Sequence, residues 1–180
     1  MFLEVETTGG QFEKFHQHCH FLENILMSWS PDSSTTGGAQ TGHTSPAFTL
    51  VDDTPPVVNA KQKTVSALTG TQGAATANSA SSPFTATFYK PAAFKQLPAP
   101  NPVTGLRGQI PNNQYKLIIR KGGNAAAGVP VTAICRITWD IPAGMETYNP
   151  DEVKSFAGFL VGLLNEESAD LGDTLITGVL

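Results

Sequence analysis

Residues 113–121 read NQYKLIIRK and residues 129–141 read VPVTAICRITWDI, and the period of these two stretches decides the fold. Successive side chains of a strand point to opposite faces, so a half-buried strand alternates with period two. Gln114–Lys121 predicts such a strand, with Leu117 and Ile119 on one face and Lys116, Ile118 and Arg120 on the other. Val129–Ile141 predicts a longer one. Val131, Ala133, Cys135, Ile137 and Trp139 share one face, opposite Thr132, Ile134, Arg136 and Thr138. Both strands therefore carry basic side chains away from the apolar stripe. Between them, Gly122, Gly123, Asn124, Ala125, Ala126, Ala127 and Gly128 offer little bulk and few backbone constraints, which predicts a loop.

Upstream, Phe84, Ala86 and Phe88 alternate with Thr85, Thr87 and Tyr89, the pattern of another half-buried strand. A Pro-rich passage, Pro91–Pro111, separates it from Gln114. Gly70–Pro83 is Ala, Ser, Thr and Gly, readable as a weak strand or a loop. Ala47–Val51 and Lys63–Leu68 predict a β-hairpin around Asp52–Asn59, with Pro55 and Pro56 in the turn. Ser28–Pro46 is a low-complexity run that reads as a flexible linker, and Phe12–Leu26 is helix-like with irregular apolar spacing.

Downstream the period changes to 3.6. Asn149 suits an N-cap, Pro150 the first helical position, and Glu152 completes a capping box. Val153, Phe156, Ala157, Leu160, Leu163 and Leu164 then fall on one helical face, and Gly158 and Gly162 permit close approach of another backbone. A second helix is predicted over Ala169–Thr177, capped by Ser168 and stopped by Gly178. Antiparallel strands followed by helices make an α+β chain.

The chain has 180 residues and only 14% charged side chains against 40% hydrophobic, too apolar for disorder and too poorly charged for an ordinary solvated surface. Its net charge of −4 hides a segmental pattern. Residues 1–46 carry five acids and one base. No acid occurs between Asp53 and Asp140, where nine bases do, and eight acids with one base follow from Ile137 onward. A basic surface of that size suits a polyanion such as a phosphate backbone, unless the acidic and basic segments neutralise each other within the fold or across an interface.

Other chemistry finds little support. His16, His18, Cys19 and His20 match no metal-site spacing, and Cys19 and Cys135 form no disulfide framework. Asp52 with Asp53, and Asp151 with Glu152, are explained by a turn and a helix N-terminus rather than as catalytic acid pairs. No nucleophile motif, phosphate-binding loop or dinucleotide fingerprint occurs, so neither an enzyme, a metal nor a cofactor is expected. No signal peptide or membrane span is expected either.

The order of these elements from Ala47 on, with NQYKLIIRK, GGNAAAGVPVTAICRITWDIPAG and the helix NPDEVKSFAGFLVGLLN, resembles the coat proteins of single-stranded RNA bacteriophages, the leviviruses, nearest to the Qβ type. The resemblance spans roughly three-quarters of the chain. It implies an N-terminal β-hairpin, a five-stranded antiparallel sheet and two C-terminal helices, with two subunits interlocked into a dimer that has one continuous ten-stranded sheet. Val153, Phe156, Leu160, Leu163 and Leu164 would then lie at the dimer interface, and Gly122–Gly128 would meet neighbouring dimers in a T=3 icosahedral shell.

By position, the resemblance also assigns RNA contacts. Thr85 and Thr87 fall where the family places small hydroxylic residues, with Tyr89 and Lys90 following. Lys116 and Arg120 fall on its basic inner strand. Ile118 stands where a polar reader is expected, Ile134 where the family has a base-stacking Tyr, and Arg136 replaces a polar side chain two residues later, with Thr132 on the same strand. The implied function is a capsid protein packaging viral single-stranded RNA in the virion, assembled in the bacterial cytoplasm. The alternative is an RNA-binding translational repressor that forms no shell. Residues 1–46 have no counterpart in the family, which points to an extension and linker before a coat domain at 47–180, or to a start at Met27.

Overall fold

The structure, a computed structural model, describes residues 28–179. The chain divides at Ser30/Pro31, and every strand and helix described here belongs to the second unit. The helix expected over Phe12–Leu26, the histidine cluster and Met27 lie outside the described residues. Six strands form one antiparallel sheet in chain order: β1 Ser34–Thr36, β2 Ala47–Asp53, β3 Ala60–Thr69, β4 Phe84–Tyr89, β5 Asn112–Ala126 and β6 Val129–Pro142. Three helices follow: α1 Met145–Tyr148, α2 Pro150–Glu166 and α3 Ser168–Thr177. None of the described helices is long and apolar enough to cross a membrane.

The expected sheet-then-helix order is present, with the hairpin β2–β3 built into the sheet rather than standing before it. Part of the stretch read as a linker is also sheet. Ser34–Thr36 pairs with Ala47–Thr49, because Thr-rich extended backbone finds ladder partners that low-complexity composition does not reveal. Gly70–Pro83 contains no strand.

The largest departure is at Gly122–Gly128. It is not a loop: β5 and β6 stay in register from Asn112↔Pro142 to Ala126↔Val129, with an irregularity between Asn124 and Ala126. The turn is only Ala127–Gly128, with Gly128 at φ 74°. Bulk reports burial, and a hairpin ladder is built from backbone partners, so a Gly/Ala run can pair despite its low strand propensity when a turn brings the two strands together. β4 reaches no further than Phe84↔Lys121, so beyond that pair β5 and β6 project as a two-stranded arm.

Gly122 marks the root of this arm. Its N–H donates to Pro83 O at 2.6 Å, its carbonyl accepts from Ser82 Oγ at 3.0 Å, and an added Cβ would sit 2.8 Å from Pro83 N. Backbone cannot yield as a flexible side chain does. Gly122→Ala is therefore expected to destabilise the chain by about 1–3 kcal/mol, read as a lowered midpoint in thermal or urea unfolding, whereas Gly123→Ala, with open space around it, leaves the midpoint in place.

The helices begin as the sequence predicts, with Pro150 in the first turn, but the Asn149 side chain makes no capping bond. α3 starts one residue earlier than expected, at Ser168, with Glu167 as its cap, and Gly178 closes it in the left-handed conformation. The N-terminal half of α2 meets the sheet. Val153, Phe156 and Ala157 face Phe88, Tyr115, Trp139 and Ile141 around an apolar cavity of about 320 Å³. Phe88 stacks at 6.3 Å from Tyr115 and 6.1 Å from Trp139. α3 touches the turn after β1, where Thr41 Oγ1 donates to Asp173 Oδ2 at 3.0 Å. Along the rest of α2 no residue is buried: Phe159 is 70% exposed and Val161 67%, and Gly158 and Gly162 face open space.

Beside the cavity, desolvation raises the Tyr115 phenol above its ordinary value, with Glu146 adding a smaller push in the same direction. The native state thus holds this proton more tightly than the unfolded chain does, and stability is lost as pH rises from about 10 upward. Tyr115→Phe is expected to remove a late-ionising component from the ultraviolet tyrosine titration, and Glu146→Gln to move it only partway back.

Candidate nucleic-acid interface

Strand register brings the sequence-selected residues onto one face. Thr85 lies opposite Arg120, which lies opposite Ile134; Thr87 opposite Ile118 and then Arg136; Tyr89 opposite Lys116 and then Thr138. Thr132 pairs with Gly122 on the same face, and Lys90 follows the end of β4. The pleat alone produces this row, because directly opposed residues share a side of the sheet. Lys116, Arg120 and Arg136 stand on it together.

Two residues not selected as contacts from the sequence, Gln62 and Asp53, complete it through Thr87. Thr87 is 0% exposed, so its hydroxyl is not offered to a ligand as expected; it donates to Gln62 Oε1 at 2.7 Å and accepts from Arg120 Nη1 at 3.4 Å. Gln62 Nε2 in turn donates to Asp53 Oδ2 at 2.7 Å. A polar chain thus crosses four strands from Asp53 to Arg120 and restrains the guanidinium. Thr87 and Gln62 position Arg120.

The nine bases do not form one surface. Lys121 lies on the opposite face, its Nζ 5.1 Å from the Phe84 ring centroid and donating to Gly122 O at 2.9 Å and Thr76 Oγ1 at 3.2 Å; desolvation lowers its pKa. Lys61 and Lys63 also fall on that side by register, opposite Phe88 and Ala86, with Lys63 in a 2.8 Å ion pair with Asp52. Arg107 donates to Pro98 O within the Pro-rich passage. What remains on the polar face is a strip of three cations, with an open groove of about 640 Å³ at one end, where Lys90 and Lys95 join Lys116.

Among the described residues no cluster of metal-type side chains occurs. Cys135 is a free, exposed thiol on the apolar face. The geometry supplies cations and hydroxyls over a pleated platform, suited to a polyanion and to no bond-making step.

No protein-family model and no curated protein matches the chain. Solved structures do. The chain is similar to the protein of a virus-like particle of bacteriophage ESE020, at 40% identity and TM-score 0.82, covering 85% of this chain and 100% of that one. More distant are virus-like particles of Beihai levi-like virus 32, at 17% identity, TM-score 0.43 and 74% and 88% coverage, and of bacteriophage GQ-907, at 18%, 0.43 and 87% and 98%. The assignment rests on the first, which matches along its entire length. The resemblance carried by the β5–β6 sequence thus agrees with the fold, and the chain belongs to the levivirus coat proteins, structural proteins of the capsid rather than enzymes.

Proposed function

We propose that two copies join along β6 into a dimer with one continuous sheet, that dimers close into an icosahedral shell in the bacterial cytoplasm, and that the polar sheet face lines its interior and packages single-stranded RNA. The observation that carries this reading is β6. It is fourteen residues long, pairs among the described residues with β5 on one side only, and leaves Val129, Val131 and Ile134 more than 40% exposed. A long apolar edge is a template for another strand, and natural chains do not leave one open. Strands β2–β6 of two copies make the ten-stranded sheet, with β1 at either end. The open faces of Phe156, Leu163 and Leu164, together with Gly158 and Gly162, suit a partner helix.

The arm beyond Gly122 is the natural contact between dimers, since it extends past the sheet. A particle map is expected to place Ala125–Gly128 at the symmetry axes, in more than one conformation; an arm remote from every axis removes this assignment. The test of the function is electron microscopy of the expressed protein with assay of nuclease-protected RNA. Closed particles holding RNA support the reading, and a dimer that stays soluble at high concentration with RNA present selects the repressor alternative.

A further inference from the structure

The groove at the β4–β5 connection is more than the end of the basic strip. Its volume, about 640 Å³, lies within the roughly 300–1,000 Å³ of small-molecule sites. Three lysines reach it from three backbone positions: Lys90 just after β4, Lys95 on the strap that follows, and Lys116 on β5. None of its lining residues is acidic. Gathering cations without carboxylates is unfavourable in itself and is offset by an anion.

The backbone of the strap is anchored at both lysines. Asn59 Nδ2 donates to Lys90 O at 2.7 Å while Lys90 N–H donates to Asn59 O at 3.0 Å. Asn113, 1% exposed, clamps Lys95 from both sides: Lys95 N–H donates to its Oδ1 at 2.8 Å, and its Nδ2 donates to Lys95 O at 3.0 Å. Between these clamps Pro91, Ala92 and Ala93 form an apolar wall opposite Ile118, and the half-buried Tyr89 lines the floor. Lysines on anchored backbone around an apolar slot that contains an aromatic ring match a flat ring joined to phosphates. A duplex presents phosphates but keeps its rings stacked inside.

We propose that this groove seats one unpaired nucleotide of single-stranded RNA, its base against Tyr89 and its flanking phosphates on Lys90, Lys95 and Lys116. The proposal rests on the RNA-packaging reading and adds to it a site built by the strap, apart from Arg120 and Arg136. It also supplies an aromatic base platform in a chain that has Ile134 on the central strip.

The test uses the full-length protein and two probes, a mixed-sequence single-stranded RNA octamer and an RNA duplex of equal length. Tyr89→Ala is expected to weaken octamer binding about tenfold, as loss of one base–aromatic stack does, and Tyr89→Phe to keep it. Lys90→Gln with Lys95→Gln is expected to lower the salt slope by about 1.4, at ~0.7 per phosphate contact. Duplex binding is expected to stay as in the wild type for the Tyr89 variants and to fall less than octamer binding for the lysine pair. Ultraviolet cross-linking of wild-type protein to the octamer is expected to mark the peptide containing Tyr89, a readout independent of any variant's folding. The groove is overturned if octamer affinity and salt slope are unchanged while Arg120→Ser with Arg136→Ser weakens both probes. Equal losses for octamer and duplex overturn it too, as does a loss of particle yield with unchanged RNA binding, which makes the groove a protein contact. A wild-type protein that binds neither probe refutes the packaging reading along with the groove.

Discussion

Replacing Leu160 with Asp is expected to abolish closed particles while the chain still folds. Leu160 is only half-buried in the single chain and sits on the α2 stripe that runs from Val153 and Phe156 to the exposed Leu163 and Leu164. The substitution therefore costs the isolated subunit little. In a two-fold dimer the same change occurs twice, and each uncompensated carboxylate taken out of water costs ~3–5 kcal/mol. That is enough to dissolve an interface between small subunits. Light scattering is expected to report monomers or disordered aggregates and microscopy no shells, with the circular dichroism spectrum retained. Leu160→Met, which conserves volume and apolarity, keeps assembly. Normal shells from Leu160→Asp would mean that this helix face does not meet a partner.

The second large effect is on RNA. Changing Lys116, Arg120 and Arg136 together to Ser removes the cations that register places in one strip. Each lost phosphate contact removes a released counterion, so the slope of log affinity against log salt falls by about 2–3. Particles of the triple variant are expected to hold less nuclease-protected RNA. The central cation is not interchangeable with the others, because Thr87, Gln62 and Asp53 restrain Arg120. Thr87→Val, which keeps the shape and removes the hydroxyl, is expected to weaken binding while leaving the salt slope near its original value. Unchanged RNA content and slope in the triple variant would show that the strip faces away from the RNA.

How much of this was legible in the residues depended on the local signal each element carries. β4, β5 and β6 alternate large apolar with polar side chains, so their faces follow from the pleat, and the nine residues chosen within them lie on one side of the sheet, with Lys90 just beyond β4. The arm was misread because Gly and Ala pair through backbone groups that composition does not register. β1 escaped for the same reason. Gln62 and Asp53 were invisible because β3 opens with Lys61, Gln62, Lys63 and Thr64, which has no apolar alternation to say which side faces which; only pairing with β4 settles it. Lys95 lies in a Pro-rich passage whose path depends on the Asn113 clamp, a contact across eighteen positions. Charge counting overestimated the basic surface, since it is blind to Lys63 and Lys121 turning to the other face.

Gly122 makes the arm a lever. Held to Pro83 by a backbone hydrogen bond and to Ser82 by its side-chain hydroxyl, it is a fulcrum fixed to the body of the sheet, while everything beyond it is a ribbon two strands wide. From Gly122 to the Ala127–Gly128 turn the ribbon is about 17 Å long at ~3.4 Å per residue. A swing of only 10° at the root therefore carries the tip by ~3 Å, and a two-stranded ribbon has too little stability of its own to resist such bending. In the proposed shell one pivot would convert small angular differences into distances that distinguish unlike neighbours, so that a single sequence would fit several surroundings with its helices and central strands unmoved.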